Sequence, residues 1–201
     1  MAATNSAQAA TVQFTDLTSF QANTTGLTTI DFEGLAATGS AASYGGTTSG
    51  VTFTVSSNTL FVVDPAFGPS SYDWGSGAVL LGNSQRGTVT ATLPSGITAV
   101  GSDIMSIIDF ASPFTIMLST GETFNLNSLN YPNRQFVGFT SDTAITSISF
   151  QATNGFPLLD NFRFGTANAA TAVPEPFTII GTLVGGTAAL RMRKKLKAAG
   201  K

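Results

Sequence analysis

Apolar and polar residues alternate with period two over much of the chain. Val51, Phe53 and Val55 share one parity while Thr52 and Thr54 take the other, and Val89, Ala91 and Leu93 likewise oppose Thr88, Thr90 and Thr92. Such alternation marks strands with one buried face. On this basis strands are predicted over 27–33, 51–55, 60–63, 78–81, 87–93, 97–110, 114–118, 135–140, 144–151 and 158–164. Turn signals fall between them at Gly45-Gly46, Pro94-Ser95-Gly96, Thr120-Gly121 and Ser141-Asp142-Thr143. With no convincing amphipathic helix among them, these strands predict one all-β sandwich over residues 11–164. That length can bury a core without disulfides. Residues 165–172, small and polar, predict a flexible stalk.

The pattern then changes. Val173-Pro174-Glu175-Pro176 precedes an apolar run over 177–190, which is closed by Arg191-Met192-Arg193-Lys194-Lys195-Leu196-Lys197. Apolar residues partition into hydrocarbon while the cations stay with cytoplasmic headgroups, which places the body outside the membrane. As a helix, 177–190 would reach roughly 21 Å, short of the roughly 30 Å hydrocarbon core, so this short C-terminal transmembrane helix is a marginal anchor. A buried helix of the sandwich is a poor alternative, because the basic cluster lacks acidic partners and Gly181, Gly185 and Gly186 lower helix propensity.

Motif, short apolar helix and basic tail, in that order, resemble the PEP-CTERM sorting signal of exported bacterial proteins. The resemblance covers residues 173–201 and implies a partner. An exosortase-type membrane enzyme would recognise Val173, Pro174, Glu175 and Pro176, cut nearby, and release the body to the cell envelope or extracellular matrix after a transient stay in the inner membrane. At the other end, residues 1–10 contain Ala7-Gln8-Ala9, the small-x-small tripeptide that precedes a signal peptidase cut, yet no basic residue and no apolar core. They read as the remnant of a signal peptide or as a disordered arm.

Charge supports export and removes several function classes. Before Val173 the only bases are Arg86, Arg134 and Arg163, against ten acids, a net charge of −7; from Val173 onward six bases oppose one acid, a net +5. An acidic body without Lys is not a nucleic-acid binder, since phosphate neutralisation needs a basic patch. With no His and no Cys, Ser-His-Asp and Cys-His triads are impossible and the usual zinc sites lack their ligands. A glycosidase needs two carboxylates across a cleft, and Asp73, Asp103, Asp109 and Glu122 are too scattered in sequence to be paired.

Three features of the body could bind something. Ile30-Asp31-Phe32-Glu33-Gly34 near its start and Leu158-Leu159-Asp160-Asn161-Phe162-Arg163-Phe164 near its end resemble the first and last strands of jelly-roll carbohydrate-binding domains, which meet and share a structural calcium. The matching positions are Asp31, Glu33 and Asp160, followed by Asn161. Independently, Asp160 shares the parity of Leu158, Phe162 and Phe164, so unless a bulge intervenes its carboxylate points inward and needs a partner. Calcium, backbone amides or Arg163 would each serve. Asp31 and Glu33 have the parity of a solvated face.

The loop over 67–77 holds Tyr72, Asp73 and the only Trp, Trp74. Aromatic rings stack on the C–H faces of sugars while carboxylates take their hydroxyls, so these residues suit a polysaccharide; a Trp plug over the sandwich end is the structural alternative. Tyr131-Pro132-Asn133-Arg134 could contribute similarly. Third, Thr88, Thr90 and Thr92 have the spacing of an ice-binding ladder, although one ladder is far too short and Thr is in any case a good strand former. The sequence therefore points to an exported, non-enzymatic envelope or matrix protein whose body binds polysaccharide. The alternatives are a structural adhesin without a small ligand, a secreted carboxylate hydrolase, and an ice-binding protein.

Overall fold

A computed structural model of the chain describes residues 10–68, 77–107, 112–127 and 134–168. These belong to one unit, Met1–Asn168; the segment 173–201, expected to be a sorting signal, lies outside the described residues, as do residues 1–9. Among the described residues no helix is long and apolar enough to cross a membrane.

The chain forms β1 (Thr11–Phe14), α1 (Leu17–Ala22), β2 (Thr24–Ile30), β3 (Ala41–Tyr44), β4 (Thr47–Thr48), β5 (Val51–Val55), β6 (Leu60–Val63), β7 (Val79–Gly82), β8 (Thr88–Thr92), β9 (Ala99–Ile107), β10 (Phe114–Leu118), β11 (Thr123–Leu126), β12 (Gln135–Ser141), β13 (Ser147–Ala152) and β14 (Phe156–Ala167). One sheet has the order β1-β12-β9-β14-β7-β6-β3, with β2 also pairing β14; the other has the order β11-β10-β13-β8-β5-β4. All pairings are antiparallel. The inner residues of both sheets form one core, with Phe53, Val89, Ile116 and Phe150 meeting Val62, Leu80, Ile104, Phe139 and Phe162. The all-β sandwich expected from the alternation is the fold observed.

The predicted elements need correction at several points. The strand expected over 27–33 begins earlier and stops at Ile30, because Phe32 takes a left-handed backbone (φ 60°). That turn swings the Phe32 ring inward, 1% exposed, and leaves Asp31 and Glu33 on the outside. The last strand runs three residues into the predicted stalk, where Thr166 and Ala167 pair with Thr25 and Thr24 of β2. β1, β3, β4 and β11 add to the predicted strands, and α1 is a helix where none is expected. Asp16 caps this helix by accepting a 2.8 Å bond from Ser19 N, which holds the Asp16 carboxyl below its ordinary pKa. Phe20, fully buried, then packs on Phe136 at 5.4 Å and on Phe14 at 5.8 Å.

The two sheets differ in their outer faces. The larger sheet is apolar there as well: Val63, Val79, Leu81, Met105 and Leu158 form one cluster, and Phe20, Ala99 and Phe136 another beneath α1. The smaller sheet turns Thr52, Thr54, Thr90, Thr92, Ser147 and Ser149 outward and stays polar.

Candidate functional site

The two segments singled out from sequence do meet. Ile30 at the end of β2 pairs with Phe162 of β14, and β7 occupies the same edge of β14 earlier along it, through Leu81↔Leu158 and Leu80↔Leu159. Between these partners β14 carries a bulge. Asp160 faces Asp103 and Arg163 faces Gly101, so Asn161 and Phe162 oppose the single residue Ser102, and Asn161 is left-handed (φ 47°). The extra residue reverses the parity. Leu158 and Asp160 face outward before it, whereas Phe162 and Phe164 face inward after it. Asp160 is thus not among the inner apolar side chains, although it is fully buried.

Its carboxylate accepts from Asn161 N (2.5 Å) and Asn161 Nδ2 (2.9 Å). Ser102 Oγ, fully buried, donates to Asp160 O at 2.9 Å, beside the bulge. Arg163 donates to Asn161 O (2.7 Å), stands 3.6 Å from Asp103 Oδ2 and lies over the Phe136 ring at 5.7 Å. The other two carboxylates are engaged as well. Glu33 Oε1 accepts from Ala78 N at 2.7 Å, tying the end of β2 to the approach to β7, and Asp31 Oδ1 accepts from Glu33 N at 3.2 Å. Among the described residues no three acidic side chains are gathered as a metal site; Asp31, Glu33 and Asp160 each accept hydrogen bonds from within the chain. Tyr72, Asp73 and Trp74 lie outside the described residues, as do Asp109 and residues 131–133.

A different site appears at the sandwich edge, at a place that no sequence motif marks. A cleft of about 320 Å³ is lined by Tyr44 and Gly45 at the end of β3, Thr52 to Val55 of β5, and Asn58 to Leu60 leading into β6. None of these lining residues is Asp, Glu, Lys or Arg. The cleft exists because β4 is only two residues long: it pairs Thr48 with Val51 and Thr47 with Thr52, and the β5 edge beyond is left open. The ladder phase shows what that edge presents. Ser56 N donates to Thr88 O (3.0 Å), so Thr54 and Thr52 are the residues that bond β8, while Phe53 and Val55 turn their N–H and C=O groups toward the cleft.

Aromatic packing holds the wall in place. Tyr44 lies 6.2 Å from Phe53 and 6.3 Å from Phe32; Phe53 contacts Phe32 at 5.5 Å and Phe162 at 5.1 Å, both edge-on. The left-handed Phe32 is therefore what connects the β2–β14 junction to the cleft. Tyr44 Oη and Thr48 Oγ1 share a hydrogen bond of 2.6 Å, and Asn58 Nδ2 donates to Asn83 O at 2.7 Å. This is a fixed, uncharged hollow with an aromatic wall, hydroxyls and open backbone groups.

The fold is an antiparallel β-sandwich with an uncharged hollow at its edge. No protein-family model and no curated protein matches the chain. Solved structures similar to it include a variant of a family 29 carbohydrate-binding module (15% identity, covering 75% of this chain and 98% of that one, TM-score 0.40). Others are a family 6 carbohydrate-binding module from Clostridium stercorarium in complex with cellobiose (16%, 57% and 87%, 0.35) and a xylan-binding domain from Paenibacillus barcinonensis (16%, 67% and 99%, 0.37). Likenesses at these identities and scores assign no ligand to this chain.

Proposed function

We propose that this chain is an exported envelope or matrix protein whose sandwich binds polysaccharide without catalysis. The observation that carries the binding role is the Tyr44 cleft. Its wall is aromatic, its floor offers Thr hydroxyls and the open edge of β5, and its described lining has no charge. Sugars combine apolar C–H faces with hydroxyls, and such a surface answers both. In the full sequence the basic cluster at 191–197 and the Val173-Pro174-Glu175-Pro176 motif support delivery through an exosortase-type enzyme, with 177–190 as a transient membrane segment.

Binding is tested by titrating the full-length chain with neutral polysaccharides, in parallel with Tyr44→Ala. The native chain should bind and the variant should lose most of its affinity, with its melting temperature followed to separate binding from folding. Unchanged binding by a folded Tyr44→Ala protein would remove the cleft from consideration. Delivery is tested by Glu175→Ala in a host with an exosortase, where the variant should stay in the membrane fraction; normal release of it would refute the sorting assignment.

A further inference from the structure

The smaller sheet has a property that single strands do not reveal. None of its six strands contains an Asp, Glu, Lys or Arg, whereas about a quarter of residues in an ordinary soluble domain are charged. The registers align its outward side chains into rows across strands. Thr47, Thr52, Thr92 and Ser147 form one row; Thr54, Thr90, Ser149, Met117 and Thr123 form a second; Thr88, Gln151, Thr115 and Asn125 form a third. Hydrogen bonds across strands orient the hydroxyls within these rows: Thr47 to Thr52 at 2.7 Å, Thr90 to Ser149 at 2.8 Å, and Thr115 Oγ1 to Asn125 Oδ1 at 3.1 Å. Thr52 and Thr54 belong both to these rows and to the cleft lining.

From this continuity we infer that the cleft and the outer face of the smaller sheet are one binding surface for an uncharged, extended polysaccharide. The inference rests on the carbohydrate reading of the cleft and adds the class of ligand and the path of the chain. One end of the ligand sits against Tyr44, and the following sugars cross the middle row from Thr54 through Met117 to Thr123, four strand spacings or about 19 Å. Charge chooses the class. The body before Val173 is strongly acidic, and this uncharged sheet attracts no anionic polymer to offset that repulsion, whereas neutral hydroxyls exchange hydrogen bonds with pre-oriented Thr and Ser. Sheet twist, typically 20–25° per strand, argues against a planar ice lattice meeting all three rows, while a flexible chain can follow the twist.

The test measures affinity of the full-length chain for neutral glucan, mannan and xylan oligomers from disaccharide to hexasaccharide, and for uronic-acid oligomers of the same lengths. Affinity for a neutral series should rise about tenfold with length, as a few hydrogen bonds add up, and the uronic-acid series should bind more weakly. Ser149→Lys and Thr123→Lys, two and four strands away from the cleft residue Thr54, should flatten the length dependence and leave disaccharide binding unchanged. Disaccharide binding without any length dependence overturns the face and leaves the cleft standing; no binding across the panel overturns both. Two other results also overturn the face: Ser149→Lys changing the oligomeric state without affecting sugar affinity, which marks a contact between copies, or Ser149→Lys abolishing ice shaping alone.

Discussion

Glu33 and the backbone of Ala78, 45 positions apart in sequence, are joined by a 2.7 Å hydrogen bond that holds the end of β2 beside the approach to β7. The two elements share one edge of β14, and this bond links them across the place where β14 changes partners. Gly77 makes room for it: a Cβ there would fall on Glu33 Oε1, and the backbone at Gly77 has φ 102°. Glu33→Ala should destabilise the sandwich by about 1 kcal/mol, a modest figure because the carboxylate is partly solvated. Gly77→Ala should cost more, since it displaces the carboxylate and strains the backbone. Urea titration of both singles and the double should give less than the sum; strict additivity would mean the two positions do not communicate.

The bulge on β14 gives a sharper expectation. Ser102 Oγ is the buried donor to the Asp160 carbonyl, and Ser102 is itself fully buried. Ser102→Ala keeps the strand and the volume nearly intact while removing that hydrogen bond. A loss of about 0.5–1.5 kcal/mol in equilibrium unfolding is expected. A neutral result would show that the Ser102 hydroxyl does not help to hold the bulge.

Much of the sandwich was legible because β5, β8 and β10 alternate cleanly and their partners do the same. The junction of β2 with β14 was also legible, from the Asp-Phe-Glu and Asp-Asn-Phe-Arg segments. Three features were not. Parity along β14 misplaced Asp160, because a bulge adds one residue without altering local composition; left-handed Asn161 is its only trace. β3 reads Ala-Ala-Ser-Tyr, too small-sided to register as periodic, and β11 reads Thr-Phe-Asn-Leu, which alternates but over only four residues; both are fixed by pairing with β6 and β10. The cleft escaped notice because its residues come from three separate segments and its open edge depends on how early β4 stops. Tyr44 directly before Gly45-Gly46 was the one available signal, an aromatic placed against a turn.

The packing of α1 on the larger sheet also has a definite steric requirement. A Cβ on Gly138 would approach Phe20 Cδ2 to 2.6 Å and Phe136 Cζ to 2.9 Å. Gly138→Ala should therefore push Phe20 out of its seat and destabilise the domain by about 1–3 kcal/mol. Phe20→Ala, which empties the same site, should cost about 3–5 kcal/mol. If overpacking is the cause, Gly138→Ala placed on the Phe20→Ala background should be far less harmful, and denaturation of the double variant decides it.

Acid sensitivity should arise where the two sheets are clasped at their edge. Thr11 Oγ1 of β1 donates to Glu122 Oε1, in the turn between β10 and β11, at 2.6 Å. This bond holds the Glu122 carboxyl below its ordinary value of 4.5. A carboxyl depressed on folding stabilises the native state above its unfolded pKa, and the contribution disappears as pH falls through the lower folded value. Thr11→Val removes the donor, so the native chain should exceed the variant in melting temperature near neutrality, and that gap should narrow below about pH 4.5 as the carboxylate is protonated. A gap that stays constant from neutral to strongly acid pH would assign the effect of Thr11 to packing rather than to Glu122.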